Sequence, residues 1–285
     1  MDENKCHGDI ACEKDGRKVI DCQKCGYMHV FPMYSEEELE SFYKDVYSES
    51  TPSYIMHEKI YNIKKWKEKG TVLDIGCWEG TQLEYFIKEG WDCTGIELNK
   101  KASQVASSKG IDVHNLSIQE FFENFSDKKW DVINLSYILE HIPYPEEMLS
   151  KVKRNIKEDG IVIIEVPNEF NALQLAYTEK KGISPYWIAL PDHINYFNKK
   201  SLETLLKNTG WKVLHGESSF PIEIFLLMGD DYIENPPVGK SSFQKVVQME
   251  ESLRSYDPGL VSKFYSALYT GDIGRSIILY IQPEL

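Results

Sequence analysis

The chain has 285 residues, 42% hydrophobic and 27% charged, enough to bury one sizeable core and carry a small appended module. A formal net charge of -13 and a pI near 5.1 disfavour a polyanionic partner, because attraction of lysine and arginine to phosphates supplies most non-specific nucleic-acid affinity. A small-molecule partner is expected instead of DNA or RNA. No apolar run approaches the roughly 20 residues that span a bilayer, and Met1-Asp2-Glu3-Asn4-Lys5 lacks a hydrophobic signal core, so a soluble, cytoplasmic protein is expected. Composition leaves the oligomeric state open.

The first predicted unit is residues 1–33, which hold Cys6, Cys12, Cys22 and Cys25 and end at Phe31-Pro32. In a reducing compartment, clustered thiols read as metal ligands before they read as disulfides. Cys22-x-x-Cys25-Gly26 makes a tight knuckle whose thiolates reach one ion, and His29 supplies a third donor. The fourth must come from upstream: Cys6 or His7 is preferred, with Cys12 in reserve. We take Cys6, Cys22, Cys25 and His29 as the expected set, holding zinc. Four protein ligands leave no open position, so the role of the ion is structural or substrate-capping.

Residues 34–69 are predicted to be bridging helices. Ser35 is placed to cap the first, with Glu36, Glu37 and Glu38 in its first turn and Leu39, Phe42, Tyr43 and Val46 on its apolar face. The second runs from about Tyr54 to Trp66. Tyr43 and Tyr47 stand where they either close over a bound ligand or simply pack.

Residues 70–285 form the main predicted domain. Short aliphatic runs at Val72-Leu73, Cys93 to Ile96, Val113-His114, Val132 to Leu135 and Ile161 to Val166 alternate with helical segments at Thr81 to Lys88, Lys100 to Lys109 and Pro145 to Ile156. That alternation implies an α/β fold: a doubly wound, mostly parallel sheet covered on both faces. There follow a helix from Ser201, read as its cap, to Asn208; a strand near Trp211 to Leu214; a helical insertion at about 223–268; and a last strand at Ile277 to Ile281. In such sheets a ligand sits beyond the carboxyl ends of the strands, where strand order reverses. Asp74 ends the first strand, Gly76 and Gly80 permit a tight turn, and Thr81 opens a helix whose amides suit a carboxylate. Glu97 closes the second strand about 20 residues on, placed to accept two ribose hydroxyls.

The order Leu73-Asp74-Ile75-Gly76-Cys77, Gly95-Ile96-Glu97, Trp130-Asp131-Val132-Ile133, Leu139-Glu140-His141-Ile142 and Asp159-Gly160-Ile161 resembles the class I S-adenosylmethionine (SAM)-dependent methyltransferases over residues 70–215. The resemblance implies a seven-stranded Rossmann-like sheet with SAM as cofactor. It implies that Asp74 orients the methionine ammonium through water, that Glu97 binds ribose, that Ser117 and Ile118 flank adenine, and that Asn134, Leu135 and Ser136 lie beside the sulfonium. Gly76, Gly80, Thr81 and Leu98 complete the expected cofactor set with Trp78, which stands where the family usually has glycine and would line or cover the pocket. The cysteine unit resembles the zinc-bearing segments of some sugar and natural-product methyltransferases, although the first of their two Cys-x-x-Cys pairs is missing here.

Methyl transfer is an in-line displacement, so a nucleophile must be aligned and water excluded. For a hydroxyl acceptor a nearby base helps. His193, in the polar and aromatic loop Leu190 to Phe197, is the expected catalytic residue, with bracing of the next helix as its bland alternative. His141 is expected to be hydrogen-bonded and structural. Asn168 ends the fifth strand, where it either contacts substrate or only terminates the strand. Tyr186-Trp187 and Phe220 to Phe225 either wall an acceptor pocket or pack the core. By analogy the acceptor is a sugar, glycan precursor or secondary metabolite. The alternatives are a non-catalytic scaffold whose pocket Trp78 closes, and a nicotinamide-dependent oxidoreductase, which would normally show G-x-G-x-x-G after its first strand.

Overall fold

The computed structural model describes residues 6–45 and 56–284; Val46, Tyr47 and the start of the second bridging helix lie outside them. The N-terminal residues form an antiparallel meander of β1 (Gly8–Lys14), β2 (Arg17–Cys22) and β3 (Met28–Phe31). Asp15 and Gly16 join β1 to β2 at φ 52 and 75, the left-handed pair that a two-residue hairpin turn requires. The Cys22 to Tyr27 knuckle joins β2 to β3, with the Gly26 amide donating to the Cys22 carbonyl at 2.8 Å.

Helix α1 (Glu36–Asp45) starts with a capping box. The Glu38 amide donates to Ser35 Oγ at 3.2 Å and the Ser35 amide to Glu38 Oε2 at 2.7 Å, so two otherwise orphaned donors are satisfied. Helix α2 (Met56–Ile63) buries Lys59, Ile60, Asn62 and Ile63.

The main sheet is built from β4 (Thr71–Ile75), β5 (Asp92–Ile96), β6 (Asp112–His114), β7 (Trp130–Ser136) and β8 (Ile156–Pro167), linked by α3 (Thr81–Lys88), α4 (Lys100–Ser108), α5 (Ile118–Asn124) and α6 (Pro145–Asn155). A 3₁₀ turn at Leu139–His141 precedes α6. After β8 come α7 (Ala172–Lys181), the two-residue strand β9 (Asn195–Tyr196), α8 (Lys199–Asn208), β10 (Trp211–Ser218), α9 (Glu223–Met228), α10 (Pro236–Tyr256), α11 (Leu260–Gly271) and β11 (Ser276–Pro283).

The seven-stranded order is β10-β11-β8-β7-β4-β5-β6. The run from β6 to β8 is parallel, and β11 is antiparallel to both of its neighbours. Side chains alternate across the pleat. Leu73, Ile133, Leu135, Val162 and Ile164 enter one core with Phe121, Leu149 and Leu202, while Val72, Val132, Ile161 and Ile163 enter the other with Ile63 and Phe86. Burial on both faces is why these strands read as near-continuous aliphatic runs.

Two local expectations change. Helix α8 begins at Lys199 and is capped by Asn198, whose Oδ1 accepts from the Ser201 amide at 2.9 Å. Ser201 takes the reciprocal place, its Oγ accepting from the Asn198 amide at 3.0 Å; the amide oxygen of the residue just before the helix outcompetes the serine as cap. The cysteine meander also has a fourth strand. β9 pairs antiparallel with β3, Met28 facing Tyr196 and His29 facing Asn195, and the Val30 amide donates to the Ile194 carbonyl at 2.9 Å.

Candidate functional site

Strand order reverses around β4, so its carboxyl end opens the cleft. Asp74 is buried there. Its Oδ1 accepts from Asn134 Nδ2 at 2.7 Å, whereas Oδ2 is buried without a hydrogen-bond partner among the described residues. Burial raises its carboxyl to about 6, against the help of Asn134 and Lys59. The following turn is left-handed at Gly76 (φ 72), Trp78 (φ 50) and Gly80 (φ 76). A Cβ on Gly76 would lie 2.4 Å from Ile138 Cδ1, so both the turn and the close approach demand glycine. Trp78 holds its costly conformation through Glu97: its amide donates to Glu97 Oε2 at 2.9 Å, and the Asn99 amide donates to Oε1 at 2.6 Å. Each carboxylate oxygen keeps a lone pair for a hydroxyl. Glu97 thus braces the loop as well as ending β5. Thr81 opens α3 directly after Gly80.

Beside Glu97 lies a cavity of about 330 Å³ lined by Glu40, Lys44, Leu98, Lys100, Asn115, Leu116 and Glu120. Leu98 lines this cavity, whereas the Ser117 hydroxyl is engaged elsewhere: its Oγ accepts from the Glu120 amide in a capping box that starts α5. Ile118 packs against the core. Asn115 and Leu116 are the wall residues that sequence reasoning missed. Asn115 Nδ2 donates to the Glu97 and Leu98 carbonyls at 2.8 and 2.9 Å, and their position just after β6 was the available signal. Helix α1 forms the opposite wall, with Asn99 Nδ2 donating to the Lys44 carbonyl at 3.1 Å.

At the end of β7, Asn134 and Ser136 face the cleft network, whereas the Leu135 side chain points into the core, leaving only its backbone for a ligand. Another missed residue sits here. Lys59, fully buried, pairs with Glu165 Oε2 at 2.6 Å and donates to Ser136 Oγ at 2.6 Å and Gln82 Oε1 at 3.1 Å. Tyr137 (φ 57) and Phe170 (φ 56) follow β7 and β8 as Trp78 follows β4. Left-handed, non-glycine residues after three adjacent strands concentrate backbone strain along one edge, as functional sites do.

That edge also carries both histidines. His141 Nδ1 lies 2.7 Å from the Asp192 carbonyl and 2.9 Å from Tyr43 Oη, and burial holds the imidazole below its usual range. Tyr43 thus reaches the histidine from α1. His193 Nδ1 lies 3.3 Å from Glu169 Oε1, and the two imidazole centroids are 5.1 Å apart. Glu140, 1% exposed, has no hydrogen-bond partner of ordinary geometry on either carboxylate oxygen among the described residues, and burial pushes its carboxyl well above the ordinary range. Asn168 turns away to brace β11, donating to the Gly274 carbonyl at 3.0 Å. Tyr186 lies near Glu223, Arg275 and Tyr232, Trp187 packs with Val19 and Tyr196, and Phe220 and Phe225 contact each other.

In the N-terminal unit, donor atoms of Cys6, Cys22, Cys25 and His29 all lie within 4.8 Å of one another. Cys6 Sγ and Cys25 Sγ are 3.8 Å apart, close to the ~3.8 Å that two Zn–S bonds of about 2.3 Å subtend at a tetrahedral angle. His29 Nδ1 faces the Val30 carbonyl at 2.8 Å, which leaves Nε2, buried and without a hydrogen-bond partner of ordinary geometry among the described residues, as the free donor. Burial works to raise the Cys22 thiol, but the amides of Cys25 and Lys24 and the His29 and Cys25 side chains outweigh it and favour the thiolate. Cys12 lies apart, against Val19 and Trp187, and His7 is outside the converging group.

The profile of the family described as "Methyltransferase domain" matches residues 47–216. Ubiquinone biosynthesis O-methyltransferase of Pasteurella multocida is 32% identical over 111 residues, 34% of this chain and 46% of that protein; the chain thus spans about half the length of that relative. In fold, the chain is similar to a SAM-dependent methyltransferase from Archaeoglobus fulgidus, with a TM-score of 0.54 and 18% identity over 87% of this chain and all of the other. It is also similar to 1,6-didemethyltoxoflavin-N1-methyltransferase of Burkholderia thailandensis, solved with 1,6-didemethyltoxoflavin and S-adenosylhomocysteine, with a TM-score of 0.55 and 12% identity over 98% of this chain and all of that one. Among the described residues no helix is long and apolar enough to cross a membrane.

Proposed function

Because this chain belongs to the class I SAM-dependent methyltransferase family, we propose that it methylates a hydroxyl of a small-molecule acceptor, a sugar, glycan precursor or secondary metabolite, with His193 acting on the acceptor's proton. The observation that carries this reading is the His193–Glu169 contact of 3.3 Å at the lip of the cleft. A buried carboxylate behind Nδ1 fixes the ring's orientation and supports a proton on it, as a base requires. That the relative from Pasteurella multocida is an O-methyltransferase supports a hydroxyl acceptor.

When bound, SAM supplies a methyl group made electrophilic by its sulfonium. The unpartnered Asp74 Oδ2 suits the methionine ammonium, the α3 amides at Thr81 the carboxylate, and the free lone pairs of Glu97 the ribose. Gly76, Trp78 and Gly80 shape the turn against the ligand. Leu98, with Ser117 and Ile118 after the third strand, would flank adenine, while Asn134, Ser136 and the Leu135 backbone would border the sulfonium. The fit is good: an orphaned buried oxygen, a glycine cradle and a cavity beside Glu97 fall in the right sequence along one edge. In the N-terminal unit, Cys6, Cys22, Cys25 and His29 would hold a structural zinc ion, since the sulfur spacing and the free His29 Nε2 match tetrahedral ligation.

Labelled-methyl transfer from SAM to a panel of hydroxylated small molecules tests the reading. His193→Ala is expected to lower turnover by about 10²–10⁴-fold, the range for general-base removal, while S-adenosylhomocysteine binding by calorimetry stays unchanged. Near-normal turnover in the variant overturns the role of His193.

A further inference from the structure

The buried carboxylate of Glu140 poses a problem that methyl transfer does not solve. It is 1% exposed, and neither oxygen has a hydrogen-bond partner of ordinary geometry among the described residues. Its charged neighbours are Glu169, Glu165 and Asp192, and the buried Lys59 is held by Glu165 at 2.6 Å. A buried carboxylate among carboxylates needs a cation to persist as an anion. The side chains that face it are imidazoles. Donor atoms of Glu140, His141 and His193 all lie within 4.8 Å of one another.

Both rings are also set as ligands are. His141 Nδ1 lies 2.7 Å from the Asp192 carbonyl, which places the proton there and frees Nε2, 4.0 Å from Glu140 Oε1. His193 Nδ1 lies 3.3 Å from Glu169 Oε1, the carboxylate–histidine pairing that orients metal-bound imidazoles. Metal bonds of about 2.1 Å bring ligand atoms to roughly 3–4 Å of one another, a contraction that rotation of the two half-buried rings supplies.

We propose that Glu140, His141 and His193 form a second metal site, separate from the cysteine unit, that binds a divalent transition-metal ion at the acceptor end of the cleft. Two imidazoles and one carboxylate favour Mn²⁺, Fe²⁺, Co²⁺, Ni²⁺ or Zn²⁺ over Mg²⁺ and Ca²⁺, which prefer oxygen donors throughout. Three protein donors leave coordination positions open, unlike the closed set in the N-terminal unit. An acceptor presenting an oxygen, or two adjacent oxygens, would dock there with its hydroxyl polarised. The inference rests on the reading that the acceptor enters beside His193 and deepens it: with Nε2 on the ion, His193 would act on the acceptor's proton through the metal, which lowers the hydroxyl's pKa, and not as the direct base.

The test is a titration of the intact protein with Mn²⁺ alone, free ion followed by electron paramagnetic resonance. Elemental analysis beforehand counts any metal carried through purification beyond the one ion of the cysteine unit. The expected result is one ion per chain at this second site, with affinity reduced about tenfold or more in Glu140→Gln and in His193→Ala. S-adenosylhomocysteine binding reports whether each variant is folded; should Glu140→Gln lose it, the more exposed His193→Ala decides. A wild-type protein with no second ion, before or after titration, overturns the proposal, as does unchanged affinity in the folded variants. No methyl transfer enters this measurement, so failure of every hydroxylated acceptor defeats the O-methylation reading without touching the metal result.

Discussion

Replacing Lys59 with methionine tests whether the cleft floor depends on a buried ion pair. Lys59 is 0% and Glu165 1% exposed, with Nζ 2.6 Å from Oε2. Glu165 Oε1 has its own donors, Tyr137 Oη at 2.9 Å and Ser276 Oγ at 3.3 Å, so Lys59→Met strands only Oε2. It also removes the donor to Ser136 and Gln82. Removing one partner of a buried pair costs about 3–5 kcal/mol, because the remaining charge keeps its desolvation penalty without compensation. In a chain of this size that lowers Tm by on the order of 10 °C. The double variant Lys59→Met/Glu165→Gln removes both charges while keeping an acceptor for Tyr137 and Ser276, and is expected to recover at least half of the loss. Urea unfolding followed by circular dichroism, with thermal melts alongside, measures all three proteins. A loss below about 1 kcal/mol in the single variant, the range of an exposed pair, or a double variant no more stable than the single, refutes the argument.

Two further outcomes follow from the site. Asp74 has its carboxyl raised by burial to about 6, from an ordinary 3.8. The folded state therefore takes up its proton more readily than the unfolded chain, and this group's contribution to stability is full below 3.8 and lost as pH rises through about 6, amounting to roughly 3 kcal/mol. Binding of the methionine ammonium runs the other way because it needs the carboxylate: S-adenosylhomocysteine affinity should be about tenfold weaker at pH 5 than at pH 7.5, a slope that Asp74→Asn abolishes. Calorimetry across that range checks it, and a flat profile in the parent protein contradicts the assignment. For the cysteine unit, elemental analysis should find zinc at one ion per chain, falling to a substoichiometric level in Cys22→Ser with a lower Tm; a metal-free parent protein of unchanged stability would rule the site out.

The sheet was legible because its strands are buried on both faces, so Val72-Leu73, Val132 to Leu135 and Ile161 to Val166 stand out as aliphatic runs between amphipathic helices. Asp74, the glycine turn and Glu97 were legible because turn geometry restricts residue type. What escaped depends on long-range contacts. Lys59 sits in a polar-looking stretch of α2 and reads as a solvated lysine until Glu165, more than 100 residues on, is placed against it. β9 is only two residues long, and its pairing with β3 spans most of the chain. Glu140 and His141 are visible as neighbours, but His193 reaches them, and Glu169 just past the end of β8, through the return of the chain after α7. The Asn198 cap escaped because serine and asparagine are near equals as caps, and only the backbone path chooses between them.

The pairing of β9 with β3 bears on what could be exchanged between proteins of this architecture. Residues 1–33 look like a cassette that could be clipped off, but their strands β1 to β3 belong to a sheet whose far edge is Asn195 and Tyr196. Deleting them would strip the partner from β9, uncover Ile194 and Tyr196, both nearly fully buried, and leave the His193 loop held from the main-sheet side alone, by the Ile194 amide on the Glu140 carbonyl and Asn195 Nδ2 on the Leu139 and Ile142 carbonyls. The transferable piece is therefore discontinuous: a graft has to carry the meander and the loop from Leu190 to Phe197 together, and a chimera that swaps one without the other joins mismatched halves of a single surface.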